Sequence, residues 1–389
     1  MTPRPDAVVV GAGIVGAACA AALARAGLRV LVLDAGFAGG GATAAAMGHL
    51  VVMDDSPAQL ALTAWSLRLW SELAGELPAA CEDDACGTLW LAQDEAELAL
   101  ARRKAELYRA RGVAAELLDA RSLAEAEPRL RPGLAGALRV PGDRVVYPPR
   151  VARWLIERAC ARGAELWEGF GVTRLGAGHV EGHGERIDAP VVVNAAGAAA
   201  ARLTPGLPIA PRKGHLVITD RAPGFCRHQL VELGYLQSAH SFGGASVAFN
   251  LQPRATGQVL VGSSRELVGF DGAINGGLLR RMLARAVAFC PALAGLTALR
   301  VWTGFRPATP DKLPLVGAWP EAPGVWIAAG HEGLGITTSL ATGELLADLV
   351  TGRAPAIDPA PFAPGPGRRA AGAFGQLVED LDPPAAEAC

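Results

Sequence analysis

The stretch AVVVGAGIVGAACAAALARAGLRVLVLD, residues 7–34, decides how the rest of the chain is read. Residues 7–10 are apolar without interruption, the pattern of a short strand buried on both faces. GAGIVG follows from Gly11 to Gly16, then an alanine-rich helix to Ala26, a stop at Gly27, and a second apolar strand ending at Asp34. Strand, glycine turn, helix and strand form the unit that binds a dinucleotide pyrophosphate. Gly11 permits the tight turn, Gly13 lets backbone amides approach the phosphates, and Gly16 lets helix and sheet pack closely. Ile14 and Val15 stand at the helix end, where unpaired N–H groups attract negative charge. Asp34, 18 residues beyond Gly16, is placed with Ala35 beside it to accept from both ribose hydroxyls, and its charge repels a 2′-phosphate. FAD and NAD both satisfy this unit.

The totals narrow the class. A chain of 389 residues suggests two or three domains, and 51% hydrophobic against 19% charged residues describes a compact protein with little disorder. A net charge of −2 offers no basic field for nucleic acid or anionic lipid. Seven scattered cysteines without a C-x-x-C pair suit a reducing compartment and supply neither a disulfide framework nor a metal site. The apolar N-terminal stretch is broken by Arg25, Arg29 and glycines, so no membrane span is expected and the chain reads as cytoplasmic.

Two further glycine-rich segments choose between the cofactors. GGGATAAAMGHL, 39–50, comes directly after the second strand, and its Gly41, Ala42, Thr43, Met47, Gly48, His49 and Leu50 form a loop that a flat cofactor can approach closely. An apolar strand at 191–194 runs into Ala196 and Gly197. Near the C-terminus a buried strand, 325–329, meets Gly330, His331, Gly333, Leu334 and Gly335, and then a helix opening with Ile336 and Thr337. Three strand-to-helix sites spread along the chain imply one long cofactor touched throughout. FAD fits this pattern, whereas NAD needs only the first site.

These segments, with VVNAAG (192–197), GFRPATPDKLPLVG (304–317) and GHEGLGIT (330–337), resemble in wording and order the D-amino-acid oxidase superfamily of flavoproteins, to about Ala356. MGHLVVMDDS (47–56) and LQPRATGQVLVGSSRE (251–266) are similar to the flavin subunits of D-hydroxyproline dehydrogenase, opine oxidase and hydrogen cyanide synthase, next to glycine oxidase. The resemblance implies an α+β/α/β fold of the D-amino-acid oxidase or glutathione-reductase-2 type, a Rossmann-like FAD-binding domain interleaved with a mixed-sheet substrate domain. The discontinuous FAD domain is expected over 1–80, 146–208 and 315–356, and the substrate domain over 81–145 and 209–314. Residues 357–389, rich in Pro, Ala and Gly, read as a loosely ordered tail.

The resemblance also implies the chemistry. A hydride leaves the carbon beside an amine for the flavin N5, so the protein's task is orientation. Val172 and Gly304 approach the cofactor, and the N–H groups of Gly335, Ile336 and Thr337 face the pyrimidine end of the flavin, where charge collects on reduction. Arg306 falls where the glycine oxidase branch holds the substrate carboxylate, a task suited to a bidentate guanidinium. The sequence departs from glycine oxidase at Gly333 and Glu332, at Asn250 and at Arg265. Glu332 and Asn250 then suit an imino nitrogen or a ring hydroxyl, and His331 joins the catalytic candidates. Tyr235 and His240 are weaker ones. The histidine that carries a covalent flavin in some relatives falls on Ala44, so FAD is expected to be noncovalent.

The expected reaction is oxidation of a small amino or imino acid of the D-proline or D-hydroxyproline type. Glycine or sarcosine oxidation releasing peroxide, opine oxidation, and a noncatalytic flavin-carrying subunit stay open. With no cysteine cluster for an iron–sulfur centre, the expected partners are companion electron-transfer subunits that carry such a centre and a second nucleotide site.

Overall fold

A computed structural model describes residues 4–234, 244–365 and 368; Tyr235 and His240 lie outside them. Six strands form the first sheet, in the order Leu315–Ala318, Val325–Ala329, Val191–Asn194, Ala7–Val10, Val30–Asp34 and Glu165–Glu168. Neighbours run parallel except the first pair. Ala7–Val10 is buried on both faces, as its uninterrupted apolar run requires. On one face lie the helices Ile14–Arg25, Pro148–Cys160 and Gly335–Thr351. The first and last of these touch backbone to backbone, since a Cβ at Gly343 would stand 2.6 Å from the Ala18 carbonyl oxygen. The other face is covered by an antiparallel sheet of Val172–Gly176, His179–Gly182 and Glu185–Asp188, whose Val180, Leu175 and Ile187 pack on Val8, Val10, Leu31 and Leu33.

The second sheet has eight strands, in the order Ala298–Ala308, Ala210–Thr219, Val259–Arg265, Ser246–Pro253, Gln229–Glu232, Thr88–Ala92, Gly136–Val140 and Glu116–Asp119. It is antiparallel except where Gln229–Glu232 meets Thr88–Ala92. Helix Gly276–Phe289 covers one face, with Phe289 stacked on Phe249 at 4.8 Å between ring centres. Every strand of the first large sheet lies within 7–34, 165–194 and 315–329, and every strand of the second within 88–140 and 210–308. The chain therefore passes between the sheets several times, and the ribbon of His49–Leu50 with Arg144–Val145 is one such passage.

Local signals held where capping and periodicity carried them. Ser56 Oγ accepts from Gln59 N–H at 3.1 Å at the start of helix Pro57–Leu73. Trp65 and Trp70 on that helix are buried in the core. Helix Glu95–Ala110 buries one charge, Lys104, paired with Asp54. One reading needs correction. The segment 357–365 is not loose, because Phe362 is 1% exposed and packs in the same core as Trp70. Its proline-rich composition hid one large apolar anchor. Among the described residues no helix is long and apolar enough to cross a membrane, and no cluster of His, Cys, Asp and Glu could hold a metal ion.

Candidate active site

The glycine turn is built as its spacing requires. Gly11 has φ +108°, and a Cβ there would meet the Ala195 oxygen at 2.5 Å. A Cβ at Gly16 would lie 1.9 Å from the Gly11 oxygen, so helix and turn pack at a distance only glycine allows. Gly13 caps helix Ile14–Arg25 without a side-chain bond of its own, and Thr43 Oγ1 instead accepts from Ile14 N–H at 2.9 Å. That bond draws the loop of Gly41 and Ala42 over the helix end. Asp34 accepts from Ala12 N–H at 2.6 Å through Oδ2 and from Gly36 N–H at 2.7 Å through Oδ1, which fixes its carboxylate at the lip of the turn beside exposed Ala35. A carboxylate has about four acceptor positions, so this one retains capacity for ribose hydroxyls.

The second helix end is tied to residues 49–51. Thr337 Oγ1 donates to the His49 oxygen at 3.0 Å and accepts from Val51 N–H at 3.2 Å, and Trp70 Nε1 donates to the Thr337 oxygen. No side chain caps helix Gly335–Thr351 at Leu334, which leaves its positive end to other ligands. Gly48 N–H donates to Gln252 Oε1 at 2.8 Å, so the segment is tied both to helix Gly335–Thr351 and to strand Ser246–Pro253 of the second sheet. Leu50 and Ile336 bury their side chains in the core, and only their backbones are left for a ligand.

A cavity opens beside this helix end. His49, Val51, Trp90, Asn250, Arg265, Lys312, Glu332, Gly333, Leu334 and Thr337 are among its lining residues. Glu332 sits in the left-handed region at φ +49°, with its N–H donated to the Pro307 oxygen. Its Oε1 is 3.3 Å from Arg212 Nη1 and 3.9 Å from Arg265 Nε. Burial pushes the Glu332 carboxyl up, but Arg265, Arg306 and Arg212 together outweigh it and hold the group below its ordinary value. Lys312 stands 3.9 Å from Asp55, and burial pushes its ammonium down. Among the described residues the cluster thus sets Arg212, Arg265, Arg306 and Lys312 against Glu332 and Asp55, an excess of positive charge.

Arg306, on strand Ala298–Ala308, lies beside Gly333 and Glu332 of the lining. Its Nη1 donates to the Ser264 oxygen at 3.1 Å, and its stem runs past Gly333, where a Cβ would stand 3.8 Å from Cδ. Behind Ser264 lies a buried relay. Asn275 N–H donates to His215 Nε2 at 3.0 Å, which puts the ring proton on Nδ1, facing Ser264 Oγ at 2.8 Å. Burial pushes the His215 imidazole below its ordinary value.

Not every expected residue comes together. His331 is buried with Nε2 3.0 Å from Thr342 Oγ1 and is absent from the cavity lining; burial pushes its imidazole down to about 3. Its ring ties the turn to its own helix. Gly304 faces the flavin-loop segment, where a Cβ would meet Ala45 Cβ at 2.5 Å. Val172 is half-buried in the small sheet. Arg212, Trp90, Lys312 and Asp55 were not foreseen. A signal existed for Arg212, since two cations and a histidine in APRKGHLVIT interrupt a strand that is otherwise buried along nearly its whole length.

The family model described as DAO, FAD dependent oxidoreductase, matches residues 6–349. The chain belongs to this FAD-dependent oxidoreductase family. Among curated relatives, glycine oxidase of Geobacillus kaustophilus is 34% identical, covering 93% of this chain and 97% of that protein. Its crystal structure superposes with a TM-score of 0.83 at 31% identity, covering 92% of this chain and 98% of the other. The hydrogen cyanide synthase subunit HcnC of Pseudomonas aeruginosa is 29% identical over 92% of this chain and 95% of its own. L-proline dehydrogenase from P. horikoshii superposes with a TM-score of 0.82 at 26% identity, covering 91% of this chain and 95% of that one.

This FAD-dependent oxidoreductase is an amino-acid oxidase or dehydrogenase with the fold read from its sequence, an FAD-binding domain joined to a substrate domain. The donor set fits the cofactor. Two helix ends without a side-chain cap of their own, one beside a glycine cradle and the other beside the cavity, suit the pyrophosphate and the electron-rich edge of a flavin, and Asp34 suits the ribose.

Proposed function

We propose that the chain is the flavin subunit of a dehydrogenase acting on a small imino acid of the D-proline or D-hydroxyproline type. One observation carries this reading: a buried, cationic cluster opens on the cavity beside the second helix end. A cluster of this kind holds an anion, and the substrate carboxylate is the anion expected. When bound, FAD supplies the hydride acceptor. Arg306 grips the carboxylate through its outer guanidinium edge, while the Ser264 oxygen and the His215 relay hold the inner edge still. Arg265 and Glu332 shape the charge around it, and Glu332 with Asn250 receives the imino nitrogen.

The cofactor contacts are those of Gly11, Gly13, Gly16, Asp34, the 41–50 loop, Ala196, Gly197 and the turn from Gly330 to Thr337. The likeness to an L-proline dehydrogenase supports a cyclic imino acid, and the likeness to HcnC, named as a subunit, supports partners that carry electrons away. We place the chain in the cytoplasm. The likeness to glycine oxidase favours a second reading, glycine or sarcosine oxidation with release of peroxide.

Two rates separate the readings. Oxidation of D-proline, 4-hydroxy-D-proline, glycine and sarcosine is followed with an artificial dye and with oxygen. The expected result is the highest kcat/KM for a proline-type compound, fast with dye and slow with oxygen. Peroxide production from glycine that matches the dye-linked rate overturns the proposal.

A further inference from the structure

Two ring nitrogens in the lining of the cavity have no hydrogen-bond partner among the described residues, and the reaction as described uses neither. His49 Nε2 and Trp90 Nε1 are both shielded from solvent, and neither finds an acceptor or donor among the described residues. Such atoms are uncommon in folded proteins, and each calls for an explanation. Trp90 is 2% exposed and fixed by its strand. Its register partner across the parallel pair is Val231, whose partner in turn is Asn250, and all three residues line the cavity. Cross-strand partners share a face of a sheet, so Trp90 and Asn250 stand two strands apart on the cavity floor, roughly 10 Å by the usual strand spacing. His49 comes from another part of the molecule, the ribbon that Thr337 ties to the helix end.

The two atoms differ in what they can do. An indole N–H only donates, whereas the second nitrogen of a neutral imidazole accepts when the first carries the proton. Burial pushes the His49 imidazole down to about 3, so the ring is neutral at any pH where the protein works. A carboxylate satisfies the indole and an Nε2 that carries the proton but not an accepting one, and an ammonium cannot satisfy the indole. A hydroxyl both accepts and donates, so it satisfies the indole together with either tautomer of the imidazole.

From this pairing, and resting on the reading of the site as an imino-acid site, we infer that His49 and Trp90 form a subsite for a hydroxyl group carried by the substrate. The cationic cluster takes the carboxylate at one side of the cavity, and the hydroxyl subsite makes a ring-hydroxylated imino acid the preferred substrate. The unhydroxylated ring leaves both nitrogens without partners in the bound state, which is the condition under which polar sites reject an analogue most strongly.

The test is the ratio of kcat/KM for 4-hydroxy-D-proline, each diastereomer, to that for D-proline, measured with dye in wild type, Trp90→Phe and His49→Phe holoenzyme. Rates are expressed per bound FAD, because His49 lies in the 41–50 loop, and thermal unfolding serves as the control for folding. Wild type is expected to favour one hydroxylated diastereomer by about tenfold or more, and each variant to cut that ratio several-fold toward unity. A ratio that stays constant in both variants, or an equal fall for both substrates, overturns the hydroxyl subsite alone. A wild-type enzyme that turns over neither compound, with glycine or sarcosine oxidised instead, overturns the imino-acid reading and the subsite with it.

Discussion

The guanidinium of Arg306 lies over the backbone of Gly214 so closely that a Cβ there would meet Nη1 at 2.3 Å. The obstructing atoms are the far end of a flexible side chain, so Gly214→Ala should fold and displace the guanidinium rather than the strand. A misplacement of about 1 Å can cost about 100-fold in an oriented reaction. We expect KM for the carboxylate substrate to rise at least tenfold in Gly214→Ala, with flavin content unchanged, and kcat/KM to fall about 100-fold or more in Arg306→Ala. Steady-state kinetics with dye checks both. An unchanged KM in Gly214→Ala would show that the guanidinium is not the carboxylate clamp.

Gly16→Ala should behave in the opposite way. Here the new Cβ would meet a backbone oxygen, that of Gly11, at 1.9 Å, and backbone cannot step aside cheaply. We expect a stability loss of about 1–3 kcal/mol and purification with FAD well below one per chain. Thermal unfolding and the flavin-to-protein absorbance ratio report it.

Asp143 gives a pH dependence of stability. Burial pushes its carboxyl from 3.8 up to about 7, against the pull of the Thr88 hydroxyl and the Val52 N–H. A carboxyl whose folded pKa exceeds its unfolded one binds more protons in the fold, so stability is lost as pH rises from about 4 through 7. The loss amounts to on the order of 4 kcal/mol. Asp143→Asn does not titrate, so its stability relative to wild type should climb across that window and level off above it. Urea unfolding at pH 5, 6, 7 and 8 measures the difference, and a flat one contradicts the assignment.

Noncovalent FAD predicts that acid precipitation leaves the yellow colour in the supernatant. The family resemblance implies that Ala44 takes the position of a flavin-attaching histidine, and the neighbouring Thr43 hydroxyl is engaged by Ile14 N–H. A yellow pellet would mean a covalent link.

How far the sequence reached depends on how local each signal was. Gly11 and Gly16 act within one strand-to-helix turn, and Asp34 reaches that turn from the end of the next strand, 22 residues beyond Ala12, so the spacing of a single strand–helix–strand unit announced their geometry. Glu332 and Arg212 are 120 positions apart and meet only because strand Ala210–Thr219 pairs with Ala298–Ala308 in register, Arg212 opposite Arg306. No local pattern encodes that register. His331 shows the converse: its neighbours form the glycine turn, but its ring bonds Thr342, eleven residues on and inside the helix. Phe362 was concealed by composition, one anchor among prolines. Trp90 looked like any apolar strand residue until its unpartnered nitrogen was placed in the cavity lining.

Anaerobic titration of the flavin tests the imino-acid reading most directly, because it needs no partner subunit, dye or oxygen. Purified wild-type chain with bound FAD is mixed with D-proline, 4-hydroxy-D-proline, glycine, sarcosine and an opine in turn, and the flavin absorbance is followed. Bleaching by the proline-type compounds, complete at about one equivalent as expected for a two-electron donor, is the outcome predicted here. Bleaching by glycine or sarcosine with none from any cyclic imino acid would contradict it.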